Sequence, residues 1–137
     1  MAIQHYFRTD SRITFELYQA RTALLRIGST AILIGHGASD AFKSMVPSSG
    51  APRDSYVQSL FLEHPDKLVD CKAKLWVQGD RHHFEHMGTK GFEFIMFSSC
   101  VVGDRYADHN GLHSRPRQNC LILSEDGVKE CLHYYFD

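Results

Sequence analysis

Along the first third of the chain Ile13, Phe15 and Leu17 alternate with Thr14, Glu16 and Tyr18, the period-two pattern of a half-buried strand, so a sheet is expected to begin near residue 12. The run Thr30-Ala31-Ile32-Leu33-Ile34 is continuous, apolar and β-branched, which predicts a buried strand that opens into a tight loop at Gly35-His36-Gly37. Ser39 or Asp40 can cap a short helix through Met45, and the turn residues from Pro47 to Pro52 then predict a loop. A second helix is expected from Asp54 or Ser55, with Val57, Leu60, Phe61 and His64 on one face and Pro65 as its end. Leu75-Trp76-Val77 reads as another buried strand running into Gly79-Asp80-Arg81-His82-His83, and Phe92 to Phe97 as a further one. Val102 to Gln118 is polar and turn-rich, whereas Cys120 to Leu123 and Val128 to Phe136 predict a closing hairpin around Glu125-Asp126-Gly127. These elements predict an α/β, β-rich fold: a mixed sheet covered by one or two helices.

Length and charge narrow the picture. With 137 residues, 43% of them hydrophobic, the chain builds one core, so residues 1–137 are expected to form a single domain. Its 15 Lys+Arg against 16 Asp+Glu give a net charge of −1, with no basic excess to drive sequence-independent nucleic-acid binding, so any nucleotide contact must be local. No apolar run approaches the roughly 18 residues that cross a bilayer, and Met1-Ala2-Ile3-Gln4-His5-Tyr6 does not read as an export signal, so the expected setting is cytoplasmic. Cys71, Cys100, Cys120 and Cys131 form no CxxC pair and are expected to be reduced thiols, mostly in strands.

The nine histidines change the picture more than composition does, because most of them fall in three predicted loops: His36; His82, His83 and His86; His109 and His113. Loops at the C-terminal ends of strands are where α/β sheets place ligands. The arrangement strand-Gly35-His36-Gly37, helical spacer, strand-Gly79-Asp80-Arg81-His82-His83 resembles the last two metal motifs of the calcineurin-like metallophosphoesterases, with the nearest likeness to phage-type members. The likeness runs from about residue 22 to 136, and its specific part is the two short loops.

The resemblance implies a partial metallophosphoesterase-like scaffold equivalent to the C-terminal half of the family fold. It carries His36, Asp80 and His82 over as metal ligands for Zn or Mn, with His83, His86 and His113 as additional candidates. Asp80 stands where the family has the first histidine of its GHxH motif, and a carboxylate still binds such metals. The family's N-terminal motifs, DxH, GDxxD and GNH[DE], supply the bridging aspartate and the acid histidine; none is found ahead of Gly35, and Gly79-Asp80 and Gly103-Asp104 come too late in the chain to stand in. Two-metal hydrolysis needs a clamp about 3.5–4 Å wide, so the resemblance assigns no catalytic residue.

Other patterns compete. His82-His83-Phe84-Glu85-His86 fits the HxxEH string of inverted zinc peptidases, but Gly79 and Gly88 bracket too few residues for the helix that motif needs. His109 and His113 are four apart, yet Asn110-Gly111 between them favours a turn. Trp76, Phe94, Phe97 and Tyr134-Tyr135-Phe136 could stack bases, although strand periodicity assigns them to core packing. Arg81 and Arg115, with Arg105 and Arg117, flank the predicted loops and suit a bidentate phosphate fork.

Two functions follow as expectations. One is a degenerate, non-catalytic binding or inhibitory protein acting on a nucleotide or a protein partner. The other is a phosphodiesterase or nuclease whose site another chain completes. Apolar surface that a missing half would cover must be covered otherwise, either by Tyr6 to Leu25 folding back or by self-association, most simply a two-fold dimer.

Overall fold

The computed structural model describes residues 5, 7–15, 22–35, 51–79, 83–100, 109, 111 and 115–136. The elements are β1 (Thr22–Ile27), β2 (Thr30–Gly35), α1 (Ala51–Leu62), α2 (Pro65–Leu68), β3 (Ala73–Gln78), β4 (Glu85–Gly88), β5 (Glu93–Met96), β6 (Arg117–Ser124) and β7 (Gly127–Tyr135). The fold is α/β and β-rich. Its five-stranded sheet has the order β1-β2-β3-β5-β4, and β6 and β7 form a separate two-stranded sheet. The larger sheet is mixed: β2, β3 and β5 run parallel, while β1 and β4 pair antiparallel at the two edges.

Alternation along the central strands gives each sheet face its own core. Ala31, Leu33, Trp76, Phe94 and Met96 join Leu24 and Phe92 beneath Val57, Leu60 and Phe61 of α1. The intervening residues Ile32, Leu75, Val77 and Ile95 point the other way and pack against Phe84, Phe97, Leu121, Leu123 and Val128. The result is three layers: helix, mixed sheet, hairpin. Because β2 and β3 are covered on both faces, they are nearly continuous apolar runs.

Several expectations are corrected. Residues 13–15 form no strand, because the Asp10 carboxylate accepts from the Arg12 backbone N–H at 3.0 Å and the Asp10 carbonyl accepts from Ile13 N–H at 3.0 Å, closing a turn. Ile13 and Phe15 stay exposed there, while 16–18 lie outside the described residues. Two strands were unforeseen: β4, and β1, which is joined to β2 by Gly28-Ser29, with Gly28 at φ 58° in the two-residue turn. Of the segment Tyr6 to Leu25 that was expected to fold back, residues 22–25 belong to this edge strand, and 6 and 16–21 lie outside the described residues. α1 starts at Ala51, within the expected loop, and Pro65 opens α2 rather than only ending a helix, since proline fits a first helical position. Gln118 and Arg117 belong to β6, and the expected helix from Ser39 or Asp40 lies outside the described residues.

The Tyr134-Tyr135-Phe136 run, expected in the core, is exposed at 55%, 45% and 41%. It lies at the end of the hairpin, where periodicity says nothing about whether another layer covers the strand. All four cysteines are free thiols; Cys120 and Cys131 are in β6 and β7, and Cys71 and Cys100 are outside strands. No described helix is long and apolar enough to cross a membrane.

Candidate functional site

The strand order brings the two histidine loops to one edge. Gly35, the last residue of β2, is the register partner of Gln78, the last residue of β3. Adjacent strands lie about 4.8 Å apart, so Gly35 and Gln78, the strand ends that precede the two histidine motifs in sequence, are neighbours. The side chains of His36, Asp80, Arg81, His82 and His113 lie outside the described residues.

The same edge receives the start of β4, the end of β5 and the open end of the hairpin. Phe97 N–H donates to the Gln78 carbonyl at 2.7 Å, and Arg117 N–H donates to the Ser99 carbonyl at 3.0 Å, which stitches β3, β5 and β6 together beyond their regular ends. Arg117 Nε donates to Ser98 Oγ at 2.7 Å and its Nη1 to the Tyr135 hydroxyl at 3.1 Å. Ser98 N–H donates to Asn119 Oδ1 at 3.3 Å, and Asn119 Nδ2 lies 2.6 Å from His133 Nδ1. If that amide donates, Nδ1 is the acceptor and the ring proton sits on Nε2.

Aromatic faces complete the cluster. The Arg117 guanidinium carbon is 5.0 Å from the Phe84 ring centroid and 5.6 Å from that of Tyr135, and the Arg115 guanidinium carbon is 4.5 Å from the Tyr135 centroid. His133 meets Phe84 edge-on, with centroids 4.6 Å apart. These distances are those of cation–π and T-shaped contacts. Of the two arginines expected to hold phosphate, Arg115 is therefore at this edge; sequence reasoning gave Arg117, Tyr135 and Phe84 no joint role. What could have linked them was the hairpin register, which places Arg117 opposite Tyr135.

The additional ligand candidates separate. His83 Nε2 is 3.7 Å from Glu85 Oε2 at the start of β4. His86, the next strand position after Glu85, points to the opposite face and pairs with Glu93 at 2.8 Å, at the far end of β5. The string from His82 to His86 thus ends in a strand, the geometry of neither zinc-peptidase helix nor three-ligand cluster. Among the described residues no three His, Cys, Asp or Glu side chains converge to hold a metal. A Zn or Mn ion would need His36, Asp80 and His82, whose sp² nitrogen and carboxylate donors suit it chemically.

A hollow of about 570 Å³ opens elsewhere, lined by Ile27, Gly28, Ser29, Lys72, Leu123, Ser124 and Glu125. It lies at the N-terminal ends of β2 and β3, opposite the ends marked by Gly35 and Gln78. Lys72 and Glu125 close a 2.7 Å ion pair there, and Ser29 Oγ donates to the Glu125 carbonyl at 2.7 Å, so its polar groups satisfy each other.

A scan against protein families and a search of curated proteins each return no match. Solved structures of Vps29 from Entamoeba histolytica are similar at 17% identity. A single mutant aligns over 90% of this chain and 66% of its own, with a TM-score of 0.46. The wild-type protein complexed with Zn²⁺ aligns over 89% and 64%, with a TM-score of 0.43, and a double mutant over 91% and 67%, at 0.44. The chain thus spans about two thirds of the length of these structures, and likeness of this degree assigns neither ligand nor activity.

Proposed function

We propose that the chain is a non-catalytic binding protein on a metallophosphoesterase-like scaffold, acting in the cytoplasm on a nucleotide or protein partner through the edge where β2, β3 and β5 end. The observation that supports this reading is the convergence there of Arg115, Arg117, Phe84, His133 and Tyr135, a donor-rich, aromatic surface at that edge. Hydrolysis by two metals would also require the bridging carboxylate and acid histidine of motifs that are not found ahead of Gly35 in this sequence. Incubated with Zn²⁺ or Mn²⁺, the protein should not hydrolyse bis-p-nitrophenyl phosphate above the protein-free rate. Turnover that disappears in both His36→Ala and His82→Ala would overturn the proposal.

A second reading, a phosphodiesterase completed by another chain, is favoured by the pairing of Gly35 with Gln78, the strand ends after which His36 and Asp80 follow in sequence. It requires a resident metal. Elemental mass spectrometry should then find near-stoichiometric Zn or Mn, reduced in His36→Ala and His82→Ala and unchanged in His5→Ala; equal loss in all three would end it. Self-association as a two-fold dimer fits either reading, and sedimentation equilibrium at twice the monomer mass is its test.

A further inference from the structure

His133 closes a chain of hydrogen bonds whose directions are fixed from its far end. The Ser98 backbone N–H only donates, so the Asn119 atom 3.3 Å from it is the acceptor Oδ1. The other end of that amide, Nδ2, also only donates, and it lies 2.6 Å from His133 Nδ1. Nδ1 must therefore present a lone pair. The chain from Ser98 through Asn119 to His133 closes only while the imidazole is neutral, with its proton on Nε2. Phe84 meets this ring edge-on, with centroids 4.6 Å apart, and holds it in place.

Histidine is the side chain that ordinarily gains a proton between about pH 8 and about pH 5. A proton on Nδ1 sets two donors against each other at the Asn119 contact. Turning the amide over offers Oδ1 to the imidazolium, but it sets Nδ2 against the Ser98 N–H. The exchange favours turning, because a hydrogen bond to a charged group is roughly twice as strong as a neutral one. The bond given up is neutral and long, at 3.3 Å. The charged groups around the ring do not offer another answer. Arg117, diagonal to His133 in the hairpin register, touches the same Phe84 and Tyr135 rings, and Arg115 lies over Tyr135. Tyr135 and the Cys131 thiol flank His133 on its own strand, and the Cys100 thiol turns to the Arg117 carbonyl. His83 and Glu85, on either side of Phe84, pair with each other at 3.7 Å. Among the described residues no carboxylate pairs with His133, so the Asn119 amide is the protein group left to answer the charge.

We infer that His133 and Asn119 form a proton-operated latch: neutral His133 holds the amide that ties Ser98 to the hairpin, and the imidazolium turns that amide and releases the Ser98 N–H. The released form holds one proton more, so falling pH favours release and rising pH favours closure. Ser98 follows β5 at the edge where β2, β3 and β5 end, so the latch sets how firmly that edge is stitched to β6. The latch stands whether or not the binding reading above holds.

The test is amide hydrogen exchange of the full chain, followed by NMR at about pH 7.5 and about pH 5.5, on either side of the ordinary histidine range, with the intrinsic pH dependence of exchange divided out. Ser98 should lose protection about 5-fold at the lower pH, the scale of one neutral hydrogen bond. Phe97, whose N–H donates to the Gln78 carbonyl at 2.7 Å, should keep its protection. Asn119→Asp supplies a carboxylate that accepts from the Ser98 N–H and from a protonated Nδ1 at once, so Ser98 should be equally protected at both pH values. His133→Phe keeps a ring against Phe84 with no proton to gain, and it should flatten the response in the same way. Unchanged Ser98 protection in the wild type would overturn the inference. So would an equal loss at Phe97, which would mean that the whole edge loosens, or a wild-type response in Asn119→Asp. Should His133→Phe fail to fold, the isosteric Asn119→Asp decides alone.

Discussion

Phe61 has no exposed surface and stacks at a tilt on Phe92, with ring centroids 6.4 Å apart, at the centre of the contact between α1 and the sheet. Phe61→Ala removes that packing and leaves a cavity, so it should cost about 3–5 kcal/mol, read as a lower urea midpoint at unchanged slope. At Cys131 burial pushes the thiol pKa up, opposed by the positive charge of Arg117. Cys131 should therefore alkylate with iodoacetamide more slowly than exposed Cys120, as peptide mass spectrometry can follow. The sign for stability follows from the raised value: above the ordinary thiol pKa the unfolded chain loses this proton first. Stability is then complete below that pH and falls as pH rises toward the folded value.

Among the elements, the hairpin depends on a narrow fit at its turn. Gly127 has φ 119°, and a Cβ there would stand 2.9 Å from Glu93 Oε1 and 3.3 Å from the Ala73 Cβ. Glu93 is itself held by His86, so it cannot swing away without losing that pair. Gly127→Ala should lower stability by about 1–3 kcal/mol in thermal melts, whereas Gly88→Ala, with nothing within 4 Å of its Cβ, should be near neutral. β2, β3, β5 and the hairpin were legible because continuous apolar runs ended at glycine or turn residues. β1 was not, since Thr22-Ala23-Leu24-Leu25-Arg26-Ile27 carries no alternation and is held as a strand by its pairing with β2. β4 was equally hidden, because His86 on one face and Met87 on the other read as loop until β5 supplies the partner.

At the scale of the whole molecule, what sequence could not provide was strand order and layering. Periodicity located the Gly35 and Gly79 loops, but only the parallel pairing of β2 with β3 makes their starting points neighbours. Nor could it separate the aromatic residues, which divide between the layers: Trp76 and Phe94 lie under α1, while Tyr134, Tyr135 and Phe136 are left exposed at the hairpin end. That division has a spectroscopic consequence. Trp76 is the chain's one tryptophan, 2% exposed and within 6.1 Å and 4.7 Å of the Phe92 and Phe94 ring centroids. Its emission should be blue-shifted while α1 is seated and move to the red only when the helix layer opens. A ligand seated against Tyr135 would lower emission excited through tyrosine without shifting the Trp76 maximum, so intensity and wavelength of the intrinsic fluorescence report the two sides of one sheet.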